Sequence, residues 1–241
     1  MNILGIDCST DSLLVAVRRG RDRPDPPKHP FREPGGHDAR NGTVILDIGT
    51  GLRHIQRVLP AVDICLREAG LTLEDLDLLA CTAGPGSFTG LRIALATVKG
   101  LSAALVVPFV LVPTTDCLAA DWEGTAPVVI PLLNAQRGRF YAAVYERGTR
   151  ISDYLDLPLT ALLRMADPFP EVLFVSPGAD LVQESVAARQ GMRSARKLGG
   201  AGGRGLLALA EARYLSAGPD HPGSGPLYVR RSDAEEQEDP V

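Results

Sequence analysis

An α/β fold made of two related units is what the order of elements in this chain predicts. Three observations carry that reading. Short β-rich apolar segments recur along most of the sequence, helical stripes alternate with them from residue 54 onward, and the order β-β-β-α-β-α appears a second time after residue 126. The 241 residues suffice for one large or two modest domains, and 45% hydrophobic against 22% charged residues supports a substantial core. A net charge of -4 supplies no bulk positive field for nucleic acid.

The first unit is read over residues 1–120. Strands 3–6 and 13–17 flank the polar hexamer Asp7-Cys8-Ser9-Thr10-Asp11-Ser12, a hairpin turn. Residues 18–43 are rich in Pro, Gly, Arg and Asp and form a long excursion. Strand 44–48 follows, then a helix from His54 to Ala69 with Pro60 inside it, where the missing N–H predicts a kink or a loosened first turn. Ile55, Val58, Leu59, Val62, Leu66 and Ala69 make its core stripe. Ala61, Ile64, Cys65 and Glu68 make a second face. Strand 76–83 leads into Gly84-Pro85-Gly86-Ser87-Phe88-Thr89-Gly90-Leu91-Arg92, a strand-to-helix junction with Ser87 placed as N-cap. The next helix, to about Leu105, turns Leu91, Ala94, Leu95, Val98, Leu101 and Leu105 to the sheet. Gly90, Ile93, Ala96, Thr97, Gly100 and Ala104 form a small-residue face that lets another helix approach. Strand 106–111 and a short helix to Ala120, capped by Thr114 or Thr115, close the unit.

The second, smaller unit is read over 121–230. Its strands are 128–133, 139–145, 150–154 and 172–175, and its helices 159–165, 179–189 and 205–217. Residues 231–241 form an acidic tail, disfavouring direct contact with RNA. Cys8, Cys65, Cys81 and Cys117 have neither zinc-knuckle nor redox spacing and read as buried free thiols. Residues 1–7 read as a strand rather than a signal peptide, and the apolar run 101–112 is interrupted by Pro108, so a soluble cytoplasmic protein is expected.

Candidate chemistry is sparse. His54 has Val58 four residues on and Thr50 four residues back, so no metal-binding histidine pair exists on that helix, and His54 reads as an exposed residue at its start. No catalytic triad and no P-loop Lys-Ser/Thr accompanies the glycines. Asp7, Ser9 and Thr10 keep the outline of a phosphate-binding hairpin, or simply of a turn bonded to its own backbone. The run Gly199 to Gly205 offers an anion nest or a linker.

Asp7-x-Ser9-Thr10, His54 with Leu59-Pro60, the Gly84 to Ile93 motif, Gly100-Leu101 and Pro226 with Tyr228-Val229-Arg230 closely resemble, in order, the bacterial TsaB family, also called YeaZ. The resemblance implies a two-lobed actin-like ATPase fold, as in Hsp70 and sugar kinases, with a reduced second lobe. It implies a noncatalytic subunit supporting TsaD, which transfers a threonylcarbamoyl group to the adenosine beside the tRNA anticodon. ATP use is expected in the TsaE partner, and contact with tRNA is expected to be indirect. No cofactor of its own is implied beyond weak nucleotide contact at Asp7, Ser9 and Thr10. Family helices of the first lobe pair with TsaD and with a second copy. That use falls here on His54, Arg57, Val58, Ala61, Cys65, Ile93, Ala96, Thr97 and Gly100, beside the motif residues Gly84, Pro85, Gly86, Ser87, Phe88, Thr89, Gly90 and Arg92. The alternative reading is a small actin-like kinase or ATPase with its own nucleotide site.

Overall fold

The computed structural model describes residues 1–20, 42–49, 53–177, 182–196 and 202–230. Most of the 18–43 excursion, Gly199, Gly200, Ala201 and the acidic tail lie outside them. Thr50, Gly51, His29 and His37 do too. The first sheet has five strands in the order β3-β2-β1-β4-β5: β1 (Ile3–Asp7), β2 (Ser12–Arg18) and β3 (Thr43–Gly49) run antiparallel, and β4 (Leu78–Gly84) and β5 (Phe109–Pro113) run parallel to β1. Parallel neighbours need crossovers, supplied by α1 (His54–Ala69) and α2 (Phe88–Leu105). The period of two is explicit in the core. Leu4, Ile6, Val15, Val17, Leu79 and Cys81 face α1 and α2, while Ile3, Leu14, Ala16, Leu78 and Ala80 face the opposite side. A sheet buried on both faces explains why its central strands read as continuous apolar runs.

After α3 (Thr114–Ala120), a second sheet repeats the topology. β6 (Val128–Asn134), β7 (Arg139–Ala142), β10 (Leu155–Pro158), β11 (Val172–Ser176) and β12 (Met192–Arg196) stand in the order β10-β7-β6-β11-β12, with the hairpin β8 (Tyr145–Glu146) and β9 (Thr149–Arg150) added on β6. Short helices α4 (Leu159–Ala166) and α5 (Gln183–Ala187) accompany it. The expected strand 139–145 is split into β7 and β8, and the expected strand 150–154 falls mostly between β9 and β10. β12 went unexpected because Met-Arg-Ser-Ala-Arg lacks an apolar run. β5 begins three residues late, since α2 persists to Leu105 and Val106 takes a left-handed cap (φ 57°).

One assignment is corrected by packing. The helix expected within the second unit, α6 (Gly203–Ala217), covers the first sheet: Leu206, Leu207 and Ala210 pack with Ile3, Leu14, Ala16, Leu78, Ala80 and Val110. Its start is pinned by Asp121, whose Oδ1 accepts from Gly205 N at 2.6 Å. A carboxylate from the chain itself thus sits where the glycine run suggested an anion. Neither Thr114 nor Thr115 caps α3; Pro113 is the N-cap, with Thr114 already helical. Thr115 Oγ1 instead donates to Tyr145 Oη at 3.1 Å.

Residues 218–230 return along the first unit. Asp220 covers the edge of β5, donating its N–H to Phe109 O (2.9 Å) and accepting from Leu111 N (2.7 Å), and Leu227 N donates to Ala83 O at 2.6 Å. Arg230 then pairs with Asp156 of β10 at 3.6 Å, the same carboxylate that Arg139 holds at 2.8 Å. A second tie to the later strands comes from α3, where Asp116 accepts from the hydroxyls of Tyr145 and Tyr154. Burial and the adjacent carboxylate both hold these phenols protonated, well above the usual tyrosine range.

Candidate docking surface

The Gly84–Arg92 junction is shaped by backbone packing. Ser87 caps α2, its Oγ accepting from Gly90 N at 3.3 Å, and Ser87 N donates to Ser9 O at 2.7 Å. Gly84 has φ +109°, a conformation side chains rarely adopt. A Cβ on Gly86 would stand 2.7 Å from Ser9 Cβ, and one on Gly90 would overlap the Cys8 carbonyl. The glycines therefore let the start of α2 press on the β1–β2 turn. They do not open a cradle.

That closure buries Asp7 and Ser9 and leaves Thr10 half-buried. Asp7 is fully buried, and its Oδ1 accepts from Ser9 N at 2.8 Å and Thr82 Oγ1 at 2.6 Å. Ser9 is buried as well, and Thr10 Oγ1 accepts from Ser12 N at 3.3 Å. The Asp7 and Thr10 side chains thus bond the backbone of their own turn, while Ser9 Oγ is buried without a hydrogen-bond partner among the described residues. Beside it Cys8 and Cys81 are buried, and desolvation, reinforced by the Asp7 charge, pushes both thiols far above the ordinary range.

The two faces of α1 differ from their expected assignment. His54, Val58, Ala61, Val62, Cys65, Leu66 and Ala69 are buried against the sheet, whereas Ile55 is 72% exposed and Leu59 56%. His54 (3% exposed), Ala61 and Cys65 are therefore corrected from surface to interior, and Val58, expected both in the core stripe and at the interface, lies in the core. α1 lies against β2, where Cys65 Sγ donates to Val15 O at 3.6 Å, and Ile55 and Leu59 stand on its outer side. Arg57 remains exposed, as does Ile64. The helix runs through Pro60 without interruption. Among the described residues no group of three His, Cys, Asp or Glu could hold a metal ion.

On α2 the inner stripe is Gly90, Leu91, Ala94, Leu95 and Val98, the only buried residues among its 18. Gly90 moves to this side from its expected place outside. Ala96 and Gly100 are exposed and Ile93 and Thr97 half-buried, so one side of this apolar helix is left uncovered. By length and composition it could cross a membrane, yet its inner stripe is committed to the sheet. Between α1 and α2 lies a groove of about 390 Å³ lined by Ile55, Phe88, Thr89, Arg92, Ile93, Ala96 and Thr97. Phe88 stacks on Tyr228 (ring centroids 5.0 Å apart, planes at 27°), and Arg92 lies 3.9 Å over the Phe88 ring with its Nε donating to Tyr228 Oη at 3.1 Å. Sequence reasoning missed Ile55 and Leu59 as surface residues and missed Tyr228 altogether as part of this site. The aromatic in the closing Pro-x-Tyr signature was the available signal.

Residues 50–193 match the sequence model of the family described as TsaD, tRNA N6-adenosine threonylcarbamoyltransferase. The chain belongs to this family. Within it, the chain matches the bacterial TsaB (YeaZ) proteins at moderate identity and high structural similarity. It is 33% identical over 148 residues to the tRNA threonylcarbamoyladenosine biosynthesis protein TsaB of Bacillus subtilis, covering 61% of this chain and 56% of that one. To Escherichia coli TsaB it is 38% identical over 150 residues, with 61% and 56% covered. These alignments thus span little more than half the length of either relative. YeaZ from Pseudomonas aeruginosa superimposes with a TM-score of 0.70 at 25% identity, over 95% of this chain and 99% of that one.

Proposed function

We propose that this chain is a noncatalytic subunit that binds a TsaD-like threonylcarbamoyltransferase and supports formation of N6-threonylcarbamoyladenosine beside the tRNA anticodon. The observation that carries the reading is the outer face of α1 and α2, where Ile55, Leu59, Ala96 and Gly100 stand exposed around an apolar groove. Exposed apolar surface of this kind on a rigid helix pair suits another helix pair. The same face would serve a second copy when TsaD is absent.

The architecture fits a two-lobed actin-like fold, the repeated 3-2-1-4-5 strand order marking the lobes and the short α4 and α5 making the second one slighter. In that reading residues 1–120 with α6 form the first lobe. The second lobe lies within 121–196, and 231–241 is an acidic tail. The sealed Asp7–Ser9 turn supports a subunit without a cofactor of its own. Nucleotide turnover then belongs to a TsaE-like ATPase, tRNA is reached through the partner, and the assembly works in the cytoplasm.

The test is the mass of a mixture of this chain with the TsaD-like protein of the same organism, followed by light scattering with and without TsaE and nucleotide. A complex is expected. Two separate species under all conditions would overturn the proposal, and ATP turnover by the chain alone would favour a small actin-like ATPase.

A further inference from the structure

The groove between α1 and α2 holds one cation whose geometry is already set. Arg92 is exposed, yet its guanidinium lies 3.9 Å over Phe88, and its Nε is bonded to Tyr228 Oη at 3.1 Å. Tyr228 is itself held by stacking on Phe88 and by the neighbouring Leu227–Ala83 backbone bond. Lys99 Nζ adds a bond to Ser224 O at 2.6 Å, pinning the same returning segment along α2. Among the described residues no carboxylate lies within ion-pair distance of Arg92 or of Arg57, and what sets Arg92 apart is its preset geometry.

We propose that Arg92, preset by Phe88 and Tyr228, receives an aspartate or glutamate carboxylate from a helix of the docking partner. This rests on the docking reading above and names the chemistry it requires. The Nε edge is used internally, so the Nη edge is left for the partner. A planar fork held in place loses little further freedom on binding, and it pairs with a carboxylate better than a lysine would. The rest of the groove is apolar or hydroxyl-bearing: Ile55, Ile93, Ala96, Thr89 and Thr97. That lining fits an amphipathic helix presenting one large apolar side chain with an acid about one turn away. An RNA phosphate fits less well, because no second cation lines the groove and its apolar neighbours offer a sugar-phosphate chain nothing to bond.

The experiment titrates the TsaD-like protein of the same organism against the wild type, R92Q, R92K, Y228F and A96W, at two salt concentrations, with thermal melting of each variant. R92Q should bind about 10-fold or more weakly, with a flatter salt dependence, and R92K should recover only part of the loss. Y228F keeps the stack but releases Nε, and should weaken binding about 3-fold with melting unchanged. One Asp or Glu to Lys replacement on the partner's helices should restore binding to R92E. R92Q binding within about twofold of wild type, or no partner replacement rescuing R92E, overturns the inference. So does a loss of tRNA retention with partner affinity intact, which would assign Arg92 to phosphate. If A96W abolishes binding while R92Q does not, only this inference fails; if neither matters, the docking reading fails with it.

Discussion

Replacing Gly90 with alanine should destabilise the fold even though the site is helical. In an ordinary helix interior, Gly to Ala gains about 1 kcal/mol. Here the new methyl would overlap the Cys8 carbonyl oxygen and stand 3.0 Å from its carbon and 3.3 Å from Ser87 Cβ. The oxygen it meets is backbone, fixed by the β1–β2 turn, so no side chain can swing aside. Overpacking of this kind costs about 1–3 kcal/mol, more when the backbone must move. With a fixed backbone oxygen in the way the cost lies at the upper end of that range, so after the helix gain the net effect of G90A is a loss of about 1–2 kcal/mol, or roughly 2–8 °C in melting temperature for a chain of this size. Gly100, on the same helix, has nothing within 4 Å of the same position. G100A should therefore raise stability by about 0.5–1 kcal/mol. Differential scanning fluorimetry and urea unfolding of the two variants, side by side, read the contrast. A G90A protein as stable as G100A would refute the close approach of α2 to the β1–β2 turn.

Two further outcomes rest on the packing. D121A should detach the start of α6 and cost about 1–2 kcal/mol, with D121N losing less because its amide oxygen can still accept from Gly205 N; urea midpoints check both. The buried thiols should resist alkylation by iodoacetamide at about pH 8 until the protein is unfolded. They also set a pH dependence: burial raises Cys65 from an ordinary value near 9 to about 11, and raises Cys8 and Cys81 as well. Above about pH 9 the unfolded chain loses protons that the folded chain retains, so stability should fall as pH rises from about 9 toward 11, and C65A should flatten that fall.

The order of elements in the first unit could be read from residues alone, because apolar runs and helical stripes are local signals. Ser87 was readable as a cap for the same reason. What could not be read depends on partners distant in the chain. α6 looks like a continuation of the second unit until Leu206 and Leu207 are seen against Ile3 and Leu78. On α1, hydrophobicity placed Ile55 and Leu59 inward, but the stripe that packs on the sheet runs through Val58, Ala61, Val62, Cys65 and Leu66, with His54 buried at its start. The Phe88–Tyr228–Arg92 stack joins residues 136 positions apart, which no periodicity announces. The phosphate-loop outline at Asp7 was visible, and its closure by Gly86 and Gly90 was not.

The most direct measurement is the affinity of A96W for the TsaD-like partner, beside that of wild type, with melting temperature as the control for folding. Ala96 is exposed on the groove and clear of the core. The docking account predicts that A96W melts like wild type and loses partner binding by about 100-fold or more, in keeping with bulk placed at the centre of an interface. Wild-type affinity in a normally folded A96W would contradict it.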